Sequence, residues 1–142
     1  MAKESRTILV EAPVEEVFGV AKDVGRLWAL WPDVAVRDVR LTEDGVGSSA
    51  QWFLRVMGFV VQGRVEITEI VPNERVRAVS SKGPVFDFTF EPVDGGTRLT
   101  LGCEWHETVP VVGGLLEGWE AKRTAKDLDT ALANLKAQAE GR

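Results

Sequence analysis

The chain has one histidine and one cysteine, His106 and Cys103, three positions apart. A thiol–imidazole pair needs the base within hydrogen-bond reach of the sulfur. Here Leu99, Leu101, Cys103 and Trp105 alternate with Arg98, Thr100, Glu104 and His106. A strand puts these two sets on opposite faces, so the pattern argues against such a pair. Cys103 then reads as a small core residue, and His106 as a group at the wet side or rim. One His and one Cys without clustered spacing make no zinc set. Gly95-Gly96 and Gly113-Gly114 suit a turn and a helix start rather than a phosphate loop or dinucleotide fingerprint. The expectation is no metal and no cofactor, with catalytic residues unassigned.

Two arginines fall within central strand patterns. Arg64 lies opposite to Val61, Gly63 and Val65, which turns it to water. Arg55 shares a face with Phe53 and Met57, and the direction of that face is open. Pointing inward, Arg55 would orient an oxyanion or carboxylate; pointing outward, it is an ordinary solvated side chain. Arg55 is thus the candidate polar group of any cavity, with Ser80 and Thr108 the other polar candidates.

Aromatic side chains carry more information. The chain has five Trp, six Phe and no Tyr. Phe86, Phe88 and Phe90 share one face, with Asp87, Thr89 and Glu91 opposite. Together with Trp52, Cys103 and Trp105 they are candidates for the apolar wall of a ligand cavity. Such a stripe also serves as ordinary core.

These residues must be held by a definite set of elements. Thr7 to Val10 read as a short strand. Pro13 suits a helix first turn with Glu15 and Glu16 near it, and Val14, Val17, Phe18 and Ala21 fall on one helical face. Asp23 to Trp31 reads as a second short helix, closed by Trp31-Pro32-Asp33. From Val34 to Glu107, runs rich in Val, Ile, Thr, Phe and Trp are broken by Gly, Pro, Asn and Asp, giving six strands. Their period-2 alternation is that of an antiparallel sheet with one wet face.

A long last helix follows, beginning near Gly113 to Leu116. Its stripe is Ala121, Ala125, Leu128, Leu132, Leu135 and Ala139. Traced backwards it passes through Gly118 and Gly114, so one half is nearly bare and the other filled by leucines. Interiors normally fill space to crystal-like density. Either the bare half leaves a cavity walled by Gly118 and Ala121, or it lets the sheet approach closely.

At 142 residues the chain fits one domain, residues 1–142, with Ser5 to Ala139 as its ordered core. A domain of this size buries about two-thirds of its unfolded surface, enough for a core without staples. A net charge of -5 without a basic run argues against nucleic acid and anionic membrane as partners. No apolar run is long enough to cross a bilayer, and the opening MAKESRTILVEAP carries no secretory h-region. A lone cysteine rules out an intramolecular disulfide, and the cytoplasm is the expected compartment. Oligomeric state is not legible.

Four stretches resemble the START-like (SRPBCC, helix-grip) superfamily, and within it the polyketide cyclase/dehydrase family. They are Ile8 to Phe18, Trp31-Pro32-Asp33, Val65 to Arg75, and Phe90 to Thr100 with its Asp94-Gly95-Gly96-Thr97 turn. The resemblance spans nearly the whole chain. It implies an α+β helix-grip fold: a curved seven-stranded antiparallel sheet around a long C-terminal helix, with two short helices between strands 1 and 2. It also implies a ligand cavity between sheet and helix. In such folds the segments bearing Trp28, Trp31 and Trp119 surround the entrance, where indoles either close the mouth or pack a hinge.

Fold alone does not fix chemistry. Three readings follow: binding of an apolar or amphipathic small molecule such as a lipid, quinone or polyketide; a cyclase or dehydratase; and an interaction module without ligand. The first needs only cavity walls and is preferred.

Overall fold

Two-residue alternation builds most of the molecule. The computed structural model describes residues 2–28, 31, 34–56, 58–81, 84–105 and 113–141; at residues 2, 27, 28, 56, 105 and 113–125 it is the backbone that is described. The elements are β1 (Ala2–Val10), α1 (Val14–Ala21), α2 (Val24–Trp28), β2 (Val34–Arg40), β3 (Ser49–Val56), β4 (Phe59–Val71), β5 (Arg75–Ser80), β6 (Val85–Val93), β7 (Gly96–Trp105) and α3 (Gly113–Ala139). The seven strands form one curved sheet in the order β1-β7-β6-β5-β4-β3-β2, and every neighbouring pair is antiparallel. Register shifts between Arg37 and Arg40 and between Ile67 and Glu69 interrupt the ladders; such bulges bend a sheet.

The inner face is continuous across the central strands. Phe86 pairs with Cys103, Phe88 with Leu101 and Phe90 with Leu99. All six are buried, as are Val76 and Ala78 of β5 and Val65 and Ile67 of β4. From α1, Val17, Phe18, Val20 and Ala21 close over this face, and the Phe18 ring meets Phe90 edge-on at 5.7 Å. The second half of α3 buries Leu128, Ala131, Leu132, Leu135 and Ala139.

The end of α3 is fastened to the end of β1. Lys136 Nζ donates to the Leu9 carbonyl at 2.9 Å and pairs with Glu140 Oε2 at 2.6 Å. The same carboxylate oxygen accepts the Glu11 N–H at 2.7 Å. The β6–β7 turn locks against this junction. Gly95 has φ +83°, a conformation that suits glycine. At Gly96 a Cβ would fall onto the Val10 carbonyl oxygen. Thr97 Oγ1 donates to the buried Ala12 carbonyl at 2.9 Å.

Two boundaries differ from the sequence reading. β1 begins at Ala2 rather than Thr7, because its polar first half is held by pairing with β7 and by the Lys3–Glu104 and Arg6–Asp129 ion pairs at 2.9 and 3.4 Å. α2 begins at Val24 and ends at Trp28. Asp23 stays outside and caps it, accepting the N–H groups of Gly25 and Arg26.

Candidate ligand pocket

On the β2–β5 side the inner face is less completely filled. Ala50, Trp52 and Leu54 of β3 alternate inward, and Trp52 faces Val36 of β2 on one side and Gly63 of β4 on the other. Gly63 supplies no side chain there. On β5 the buried set Val76, Ala78, Ser80 ends in a hydroxyl. The Ser80 N–H is held by the Pro84 carbonyl at 2.9 Å, which brings Pro84 back over the strand end. Beyond α2, Trp31 closes the region: its ring meets Phe86 edge-on at 5.0 Å and Phe88 at 6.3 Å.

The result is a pocket of about 110 Å3 lined by Trp31, Val34, Trp52, Leu54, Ser80, Pro84 and Phe86. None of these side chains carries charge. Its polar side-chain groups are the Ser80 hydroxyl and the indole N–H groups of Trp31 and Trp52; the Trp52 Nε1 is itself buried, and among the described residues no atom accepts from it.

Phe88, Phe90 and Cys103 occupy the buried face that alternation assigns them, and Phe90 is closed off by its contact with Phe18. Burial, reinforced by the carboxylates of Glu104 and Glu4, pushes the Cys103 thiol up to about 12. At neutral pH it is a protonated core group, not a nucleophile. Arg55, whose direction the sequence left open, is exposed, on the outer face with Gln51 and Phe53, because Trp52 and Leu54 take the inner positions of β3. It borders a separate concavity of about 360 Å3 with Val34, Ala35, Phe53 and Val60. Arg64 is also exposed and donates to Ser49 Oγ at 2.8 Å. The side chains of Trp28, Trp105, Gly118, Trp119 and Ala121 lie outside the described residues, as do His106 and Thr108. Among the described residues, no three His, Cys, Asp or Glu side chains cluster as a metal site. No helix in this set is long and apolar enough to cross a membrane.

Val34, Leu54 and Pro84 join the pocket without having been singled out from sequence. The signal for Leu54 was present in its spacing from Trp52. For Val34 and Pro84 it was not, since a strand's first residue and a turn proline take their places from the partner strand.

The family model described as polyketide cyclase/dehydrase and lipid transport matches residues 1–140. No curated protein matches the chain. Among solved structures, TTHA0849 from Thermus thermophilus is 26% identical, with 97% of each chain covered and a TM-score of 0.81. CV1439 from Chromobacterium violaceum is 18% identical, with 99% of each chain covered and a TM-score of 0.72. An AHSA1-like protein from Aeromonas hydrophila is 20% identical, covering 99% of this chain and 94% of its own, with a TM-score of 0.66. The last two likenesses are likenesses of fold.

Proposed function

The chain belongs to the polyketide cyclase/dehydrase and lipid transport family, and from that premise we propose that it binds a small apolar or amphipathic molecule in the pocket beneath Trp31. One observation carries the reading: three aromatic side chains and four uncharged neighbours bound a recess of about 110 Å3 on the inner face of the sheet. Apolar walls with a few convergent polar groups are the usual make-up of a small-molecule site. Helical and strand spacing extend the proposed wall to Trp105, Gly118 and Ala121, and set Trp28 and Trp119 at its mouth. The whole of residues 1–142 is taken as one such domain. Its lone, buried Cys103 suits a reducing, cytoplasmic setting.

Native mass spectrometry of the purified protein tests the proposal directly, by the mass of a co-purified small molecule. Titration with apolar probes is the second arm. A wild type that carries nothing and takes up no apolar probe would remove the binding reading and leave an interaction module.

The family description and the Ser80 hydroxyl in the pocket wall favour one second reading, a cyclase or dehydratase. Turnover of a polyketide-like substrate that is lost in Ser80→Ala, with ligand uptake retained, would establish it.

A further inference from the structure

The β3–β4 hairpin ends in an apolar tip that the fold leaves bare. Phe59, Val60 and Val61 are 76%, 61% and 38% exposed. Consecutive strand residues point to opposite faces, so both faces of the hairpin end are free. Val56 pairs with Phe59 across a two-residue turn in which Gly58 holds φ 85°. Turns usually carry polar residues, yet no residue from Val56 to Val61 has a polar side chain. Cations stand behind the tip. Arg55 is opposite Val60 in register, Arg64 and Arg37 flank Gln51 further back, and all three are exposed. The Arg37 guanidinium lies over the Phe53 ring at 5.5 Å. Residues 50–65 hold none of the chain's 22 acids; along the described strands, acids resume at Asp38 and Glu66.

We propose that this hairpin docks on an anionic lipid surface, with Phe59, Val60 and Val61 entering the acyl boundary and Arg55 meeting the headgroups. Two-sided exposure favours lipid over protein: a flat protein surface covers one face of a protrusion, whereas a bilayer interface surrounds it. The three side chains present on the order of 300 Å2 of apolar surface, short of the roughly 800 Å2 per partner of a standard protein interface. Attachment to a bilayer needs no such area, because apolar insertion and attraction of cations to anionic headgroups add. A net charge of -5 gives the chain no general attraction to such a surface. At physiological salt, however, charges beyond about 8 Å are largely screened, so the arginines beside the tip decide. The element is separate from the pocket beneath Trp31 and does not depend on what that pocket binds.

The test is co-sedimentation of the full chain with vesicles of phosphatidylcholine alone and of phosphatidylcholine mixed with phosphatidylglycerol. Wild type should partition onto the mixed vesicles and only weakly onto the neutral ones, with binding reduced by added salt. Phe59→Ser should lower partitioning by roughly tenfold or more, as loss of its inserted apolar area requires. Arg55→Gln should lower it roughly fivefold on the mixed vesicles and leave the neutral ones unchanged. Leu9→Ser, which alters an exposed apolar residue on the opposite edge strand, should change nothing. Circular dichroism checks that each variant folds, and Val60→Ser replaces Phe59→Ser if that one does not. Uptake of an apolar probe in the pocket should be the same in Phe59→Ser as in wild type. Wild type that stays in solution with both vesicles would overturn the proposal. Equal losses in Phe59→Ser and Leu9→Ser would overturn the hairpin as the docking element. Binding indifferent to phosphatidylglycerol and to Arg55→Gln would overturn the anionic surface. Self-association of wild type without lipid, abolished by Phe59→Ser, would assign the tip to a second copy of the chain instead.

Discussion

Leu132→Ala probes the packed end of the grip. Leu132 is 2% exposed, between Leu128 and Leu135 on the buried stripe of α3. The substitution removes three carbons, about 2.4 kcal/mol of transfer free energy at roughly 0.8 kcal/mol each. A void that stayed open would add up to about 2 kcal/mol at roughly 24 cal/mol per Å3. α3 packs on β1 and α1 and is fastened at its end by Lys136 and Glu140, so little collapse is expected. The predicted loss is about 3–4 kcal/mol by urea denaturation, with the m-value unchanged. For a chain of this length that is a fall in Tm of roughly 10 °C. Gln138→Ala, at an exposed position of the same helix, should stay within about 0.5 kcal/mol. A Leu132→Ala loss below about 1 kcal/mol would show that the stripe does not carry the packing described.

Gly96→Ala should destabilise by about 2 kcal/mol or more, because the new Cβ meets backbone at Val10 and Glu11 rather than a side chain that can move; denaturation checks it. Cys103 should resist thiol reagents in the native state at pH 8, and become reactive only on unfolding. Its folded pKa lies above the unfolded value, so the neutral thiol favours the fold and stability falls as pH rises from about 9 towards about 12. Wild type should lose about 1.4 kcal/mol per pH unit more than Cys103→Ala across that window, and parallel curves would refute the assignment. Trp31→Ala should speed probe dissociation by uncovering Phe86 and Phe88, with stability changed less than in Leu132→Ala; stopped-flow release reads it. Saturating probe should slow amide exchange in β2 and β3 at labelling times too short to reach β6 and β7, and protection appearing instead on β1 would place the site elsewhere.

The sheet was legible because alternation is a local signal with a global cause: only one face of Phe86 to Phe90, or of Leu99 to Cys103, can be dry. The last helix was legible for the same reason at a different period. What stayed hidden depended on partners far along the chain. Nothing in residues 2–6 predicts a strand until Trp105 and Glu104 lie beside them. Arg55 had two orientations because Phe53 and Met57 make its own face partly apolar; the inward choice is made by Trp52 and Leu54 together with Val65 and Ile67 on the next strand. The pocket at Trp52 was invisible because its lining comes from Trp31, β2, β3, the end of β5, Pro84 and β6, which only the folded sheet brings together.

Stability and recognition fall on different parts of this fold. The chain's ends are fixed by β1, β7, α1 and the second half of α3, where the buried leucines, the Gly96 crossing and the Lys136–Glu140 contacts converge. Most of the pocket belongs to the other edge. There β2 pairs with β3 alone and is broken by a bulge at Asp38, which holds φ 51°. A strand with one neighbour and an interrupted ladder opens more readily than a central one. That is a poor place to anchor a fold and a workable place to admit a ligand, since entry then disturbs few of the contacts that keep the chain folded.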